Sequence, residues 1–291
     1  MQPLEQGAVI DLHTHTHHSD GTESPTELVH AARAAGVRVL ALTDHDVSTG
    51  WAEADRAGAQ VGVGVVPGIE VSCSHRGASV HLLAYLPDPD HEDLAAELER
   101  CRDSRRTRLS DMVDLLAADG YPVTHDEVRE VAGAGATLGR PHLADVLVRN
   151  GVYPDRDRAF AGVLAASSPY YVSHHAPDPA RATELVVAAG GVPVMAHPFA
   201  GRRGRVVAAE VLPAMVEAGL VGIEVDHRDH GTQERAEAAR AAKRFGLLPT
   251  GSSDYHGQGK PNRLGENTTS PEVLASLLAR GTGAHLLGDW G

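Results

Sequence analysis

Between Asp11 and Gly21 the chain reads DLHTHTHHSDG, with four histidines and two aspartates in eleven residues. His13 and His15 stand two apart, so on extended backbone both rings leave the same face. Asp254 and His256 repeat that spacing near the far end of the chain. Between these pairs, His45 closes LALTDH, Glu70 lies in PGIEVS, His81 in SVHLLAY, and His197 closes VPVMAH. Imidazole and carboxylate donors without thiolate suit zinc, manganese or iron(II). Six such histidines, with acids that include Asp44, Glu70 and Asp254, exceed what one ion takes. The set therefore points to two or three divalent ions sharing a bridging carboxylate. A lone histidine such as His81 in an apolar strand is more readily a packed core residue; the argument for metal is the recurrence of the pattern.

These residues punctuate short β-branched runs at 8–13, 38–45, 64–72, 79–86, 192–197, 220–225 and 247–254, which read as strands. Alanine-rich segments such as SPTELVHAARAAG and HGTQERAEAARAAKRFG lie between them and are closed by glycine, as helices are. The alternation predicts an α/β fold with a parallel sheet, and seven strands suit a closed or nearly closed barrel, with a doubly wound open sheet as the alternative. In a parallel barrel all C-terminal strand ends share one face, so residues distant in sequence converge there. The rhythm breaks over residues 90–178, which read as consecutive helices. The expected organisation is a barrel from 1–89 and 179–291 carrying the metal site, with 90–178 as a helical insertion or cap.

Composition narrows the function. Aromatics are 4% of the 291 residues, so the core must be built from Val, Leu, Ile and Ala. A net charge of −13 argues against a broadly basic nucleic-acid surface, although bound cations reverse the sign locally. Two isolated cysteines, Cys73 and Cys101, form neither a disulfide framework nor a CxxC zinc pattern. No apolar run reaches the roughly 18 residues of a membrane span. The acidic N-terminus runs straight into AVIDLH with no signal-peptide pattern. The expectation is a cytoplasmic protein with no membrane association and no stable protein partner.

DLHTHTHHSDG, LALTDHD, PGIEVS, VHLLAY, GRPH, MAHP and GSSDYHG, in this order from Asp11 to His256, resemble the PHP (polymerase and histidinol phosphatase) superfamily. GRPHLA followed by YVSH before AHP is similar to its branch of small phosphoesterases acting on nucleoside 3',5'-bisphosphates and on 5' ends of short RNAs. The resemblance implies a trinuclear site in a distorted (β/α)7 barrel. By it, His13, His15, Glu70 and Asp254 hold one ion; Asp20, His45 and His256 a second; and Glu70, as bridge, with His81 and His197, a third. His17 and His18 then fall outside the ligand set, and the extra serine in GSSD is a departure from the pattern.

Phosphate monoester hydrolysis needs a nucleophile at neutral pH and neutralised phosphoryl oxygens. A hydroxide held between divalent ions meets the first need, since coordination lowers water's pKa toward ~7. No Gly-x-Ser-x-Gly elbow offers a protein nucleophile. Asp254, His197 and Glu70 then act in catalysis through the metals, and His174 is the candidate leaving-group acid. Arg140, His142 and His174 are the candidate substrate contacts, an arginine fork being suited to phosphate. The competing reading pairs Arg140 with Asp145. Asp44 either orients His45 or fixes its own turn, GRRGR (201–205) is either a substrate loop or a surface turn, and Glu224 is a candidate support outside the ligand set. RCRDSRRTR (100–108) reads as a solvated helix face. The expected cofactors are two to three divalent ions (Mn2+, Zn2+ or Fe2+). The expected substrate is a phosphorylated small molecule, a nucleotide or short RNA, cleaved at the 3'-phosphate of a bisphosphate or trimmed 5' to 3'. Histidinol phosphate, or a non-catalytic metal-stabilised module, are the alternatives.

Overall fold

The computed structural model describes residues 7–287; the acidic N-terminal stretch read above lies outside the described residues. In chain order the elements are β1 (Val9–Thr14), α1 (Pro25–Ala34), β2 (Val37–Leu42), α2 (Trp51–Val61), β3 (Gly64–His75), β4 (Ala78–Tyr85), α3 (Glu92–Ala118), α4 (His125–Ala132), α5 (Arg140–Arg149), α6 (Arg156–Ala161), α7 (Pro179–Ala188), β5 (Val192–Met195), α8 (Ala208–Glu217), β6 (Gly222–Asp226), α9 (Thr232–Phe245), β7 (Leu248–Gly251) and α10 (Pro271–Leu278). Helix starts follow local chemistry. Ser24 and Glu27 form a reciprocal capping box ahead of α1, and Pro25 sits where a missing N–H costs nothing. Helices α8 and α10 lie outside the segments read from sequence.

The seven strands pair in sequence order in one mostly parallel sheet. The expected fully parallel arrangement is corrected at β4, which runs antiparallel to both β3 and β5. The cause is the two-residue connection Arg76–Gly77, with φ of 48° and 78°. Two residues of positive φ make a tight hairpin, whereas a parallel pair needs a crossover of about a dozen residues or more. Glu70 accordingly lies within β3 rather than at its end. His81 reaches it diagonally across the ladder, since His81 pairs with Ser72 and Leu83 with Glu70. At the sheet's outer strands, a lone parallel bridge joins Thr14 to Tyr255, and His15 N–H donates to the Tyr255 carbonyl at 2.8 Å.

Between β4 and β5 the chain forms only helices, and α3 to α6 carry their own apolar cluster around Met112, Leu116, Leu143 and Leu147. α3 belongs to two cores. Its first turns place Leu94 and Leu98 against β3, β4 and α7, and its later turns enter the helical cluster. A buried ion pair fastens its middle to the sheet, with Arg105 Nε donating to Asp46 Oδ2 at 3.0 Å. The helical segment also touches the first loop, where Thr137 N–H donates to the His18 carbonyl at 2.8 Å.

That first loop leaves no room at Gly21, where a Cβ would stand 2.6 Å from the His15 carbonyl oxygen. Gly21→Ala must therefore push the loop off the end of β1. The expected loss is about 1–3 kcal/mol of unfolding free energy, as for other overpacked sites, measured by denaturant titration; an unchanged midpoint contradicts this packing.

Candidate metal centre

The nine histidines, aspartates and glutamate singled out from sequence converge around Glu70. Its carboxylate is 1% exposed. Oε2 lies 3.1 Å from His13 Nε2, 3.0 Å from His15 Nε2 and 3.2 Å from His45 Nδ1. Oε1 lies 2.7 Å from His81 Nδ1 and 3.2 Å from His197 Nε2. Asp254 Oδ1 adds a second focus, 3.4 Å from His13 Nε2 and 3.3 Å from His15 Nε2. Asp20 Oδ1 faces His256 Nε2 at 3.1 Å. Donor atoms of His13, His15, Glu70 and Asp254 lie within 4.8 Å of one another, as do those of His15, Asp20, His45 and His256, and those of His45, Glu70 and His81.

The donor set fits divalent cations. Asp20 Oδ1, Asp254 Oδ1, His45 Nδ1 and His256 Nε2 are buried with no hydrogen-bond partner, although each faces another donor of the set. Buried polar atoms seldom remain unpaired. The set faces inward as lone pairs around shared points, which a cation satisfies and a hydrogen-bond network does not. Asp254 and His197 adopt positive φ, 55° and 27°. Backbone strain of this kind costs about 1–3 kcal/mol and persists where the surroundings enforce it.

Charge is distributed accordingly. Burial raises the pKa of Glu70, but the histidines around it, His45 and His13 foremost, outweigh that and hold its carboxyl well below the usual range. For His15, burial disfavours the imidazolium while Asp254 and Glu70 favour it, and the carboxylates win, raising the ring to about 9. His13 moves the same way against the same burial penalty, through Glu70, Glu224 and Asp254. Burial holds His256 down at about 4.

Several residues outside the ligand set support it. Glu224, buried in the middle of β6, accepts from His13 Nδ1 at 3.1 Å, from the His197 backbone N–H at 2.6 Å and from Ser252 Oγ. It thereby leaves His13 Nε2 as the free lone pair and ties two strand ends together. Asp11 accepts from the Ser253 and Gly265 N–H groups, both at 2.9 Å. The Ser252 hydroxyl and the Ser253 backbone N–H thus hold the loop before Asp254. Asp44 accepts from Thr16 N, Thr16 Oγ1 and Ser19 Oγ at 2.8, 2.6 and 2.5 Å, so it fixes the turn leading to Asp20 rather than the His45 ring. The GRRGR loop lies at the site: Arg203 pairs with Asp254 and Asp229, and Lys260 Nζ lies 3.0 Å from Asp254 Oδ2.

The helical segment contributes a cationic pocket. Arg108, 5% exposed, donates from Nη1 to His174 Nδ1 at 3.2 Å, while its Nε and Nη2 and the His174 Nε2 are buried without partners. Arg108 and Arg140 lie over the Tyr171 ring, 5.2 and 5.4 Å from its centroid. Arg140 donates to the Leu164 carbonyl at 2.8 Å, and Asp145 pairs with Arg156 instead. The expected solvated face of RCRDSRRTR is corrected for Arg105 and Arg108: the helical period turns these two inward, while Arg100 and Arg106 stay exposed. His142 is buried near Asp20, and its Nδ1 accepts from Gly139 N–H at 3.1 Å and closes the start of α5. His174 is pushed down to about 2 by burial and by Arg105, Arg108 and Arg140. A ring held neutral accepts from Arg108, and this weighs against the expected role as proton donor.

A sheet whose loops bring imidazoles and carboxylates to shared points, with unpaired guanidinium donors alongside, defines a metal-dependent site for anionic substrates. The family model described as PHP domain matches residues 11–121. A 3',5'-nucleoside bisphosphate phosphatase of Chromobacterium violaceum is 36% identical, covering 93% of this chain and 95% of that one. A 5'-3' exoribonuclease of Haemophilus influenzae is 33% identical over 84% and 89%, and a phosphoribosyl 1,2-cyclic phosphate 1,2-diphosphodiesterase of Eggerthella lenta 34% identical over 86% and 95%. A solved structure from Bifidobacterium adolescentis, described as a metal-dependent phosphoesterase, superposes with a TM-score of 0.91 at 40% identity, over 96% of this chain and 98% of that one. The chain belongs to the PHP family, and it is a metal-dependent phosphoesterase. Among the described residues no helix is long and apolar enough to cross a membrane.

Two outcomes follow from the geometry. Glu224→Gln keeps the shape but removes the charge that orients His13, and manganese affinity should fall by about 10–100-fold, read by metal titration; unchanged affinity contradicts the support role. Protons on His13 and His15 must leave before either ring binds a cation. Metal binding near pH 7 should therefore release protons, and affinity should rise with pH toward about 9, where His15 loses its own. Titration in weak buffer checks this, and proton uptake is the contrary result.

Proposed function

We propose that this phosphoesterase removes one phosphate from a substrate that carries a second anionic group, with a nucleoside 3',5'-bisphosphate as the substrate class. The observation that carries this reading is the pairing of two anion-binding features. One is the metal-fitting donor set; the other is the pocket of buried Arg108 and partly buried Arg140, neither of which pairs with a carboxylate among the described residues. The two adjoin, since Arg105, one turn before Arg108 on α3, donates to Ser72, the ladder partner of His81. One feature takes the phosphate to be cut, and the other holds the remaining one. A guanidinium with free donors suits a phosphate that is bound and not cleaved.

In this reading His13, His15, Glu70 and Asp254 hold one ion, Asp20, His45 and His256 a second, and Glu70, His81 and His197 a third. Manganese, zinc and iron(II) all suit these donors. Divalent ions there supply a nucleophile at neutral pH and neutralise phosphoryl oxygens. The chain's own groups do the rest. Glu224 and the His256 Nδ1 bond to the Asp254 carbonyl, at 2.9 Å, fix ring tautomers. Arg203 and Lys260 hold Asp254 ionised and put positive charge at the rim. Residues 90–178 act as a cap that brings Arg108, Arg140 and His174 over the site. The Thr14–Tyr255 bridge supports closing the sheet into a distorted (β/α)7 barrel, which keeps the strand-end loops on one face.

The relatives named as a 3',5'-nucleoside bisphosphate phosphatase and a 5'-3' exoribonuclease favour nucleotides, and trimming of short RNAs would use the same two features. Histidinol phosphate fits poorly, because its ammonium group meets guanidinia where the bisphosphate offers charge. Phosphate release from adenosine 3',5'-bisphosphate should be lost on chelation and restored by manganese. Arg108→Ala should lower kcat/KM by about 10–100-fold, mostly through KM, in line with a lost charged hydrogen bond of about 1.5–3 kcal/mol. Faster hydrolysis of histidinol phosphate than of the bisphosphate, or an unmoved KM in the variant, sinks the substrate assignment.

A further inference from the structure

Away from the nine-residue centre, three donors of different chemistry meet beside α3. Glu97 and Cys101 stand four residues apart on one face of the helix, and His175 comes from the connector leading to α7. Their ligand atoms lie within 4.8 Å of one another. Glu97 and Cys101 are buried, and His175 is half-exposed. Glu97 Oε1 is 2.6 Å from His175 Nε2, while the exposed Arg100 takes the other carboxylate oxygen. The connector is tied to the helix, since His175 N–H donates to Ser104 Oγ at 2.6 Å. The Cys101 thiol is fully buried and has no hydrogen-bond partner among the described residues.

Arg100 and His175 already compensate the Glu97 carboxylate, so the group left without a partner in this cluster is the buried thiol. Burial, then the Asp46 and Glu97 carboxylates, push the thiol pKa up, so it stays protonated until a cation draws the proton off. We propose that Glu97, Cys101 and His175 form a further metal site, separate from the nine-residue centre, that takes one zinc-class ion. Thiolate, imidazole and carboxylate together are zinc's donor set. The exposed side of His175 leaves room for water as a fourth ligand. On binding, the thiol gives its proton to solvent, and the two ligand anions cancel the ion's charge. The ion ties α3 to the connector one residue from His174. Only the consequence for substrate binding rests on the proposed function; the site itself does not.

Cobalt(II), added to the full-length protein, tests the site directly. A near-ultraviolet thiolate-to-cobalt charge-transfer band requires a cysteine ligand, and the nine-residue centre has none. The band should appear in the parent protein, be displaced by zinc, and persist in Cys73→Ser. It should vanish in Cys101→Ser. In His175→Ala, whose half-exposed position spares the core, cobalt affinity at the band should weaken at least about tenfold. No band in the parent protein with cobalt in excess of every site overturns the proposal, and so does a band that survives in Cys101→Ser. Phosphate release is measured separately, so failure here leaves the bisphosphate reading untouched.

Discussion

The Glu70 carboxylate is out of water and has ring nitrogens of five histidines within 3.2 Å. Burying such a charge costs several kcal/mol unless its surroundings compensate. Those five rings arrive from β1, from the loop after β2, from β4 and from the turn after β5. The carboxylate is tolerable only if each of these segments keeps its register. The reversed β4 serves the same requirement, because the tight hairpin sets His81 on the same face of the ladder as Glu70. Fold and site are thus one constraint met twice, once by hydrogen-bonded ladders and once by charge.

Around that point, the supports are shared rather than private. Glu224 serves His13 and His197 together, and Asp44 serves the loop that presents Asp20. α3 plays the same part on a larger scale. Its successive turns carry Leu98 into the core beside the sheet, Arg105 to Asp46, Arg108 to His174 and Met112 into the helical cluster. One helix therefore couples the sheet, the pocket and the helical segment.

The strands and most of the histidines and acids beside them were legible because each signal is local, whereas Asp20 entered only through the family resemblance. A β-branched run ends, and an imidazole or carboxylate follows. What was not legible depends on direction or on a partner. Arg76–Gly77 between β3 and β4 is short enough to force a reversal, but alternation elsewhere suggested parallel strands. Ser270-Pro271 announces α10 by its cap, whereas Pro213 obscured α8 by interrupting its pattern. Arg105 and Arg108 hide in a charge run whose neighbours are solvated, and only the three-residue spacing that places them on one helix face marks them. Asp11 and Lys260 act through residues far along the chain or across a turn, which no local pattern reveals; Glu224 was legible as a candidate support, but its partners His13 and His197 were not.

β4 ends beside the start of β5, at the edge of the sheet remote from the metal group, and α3 must climb back from there. A helix of 27 residues spans about 40 Å, so the journey is made in one rigid piece. Each residue of such a rod turns it by about 100°. Losing or gaining one residue between Leu98 and Arg105 would leave the strands and their donors intact, yet swing both guanidinia to another side of the axis. The direction in which these guanidinia point is thus written in the phase of a helix, and a length mutation in α3 would change it while the strands and the donors around Glu70 stay as they are.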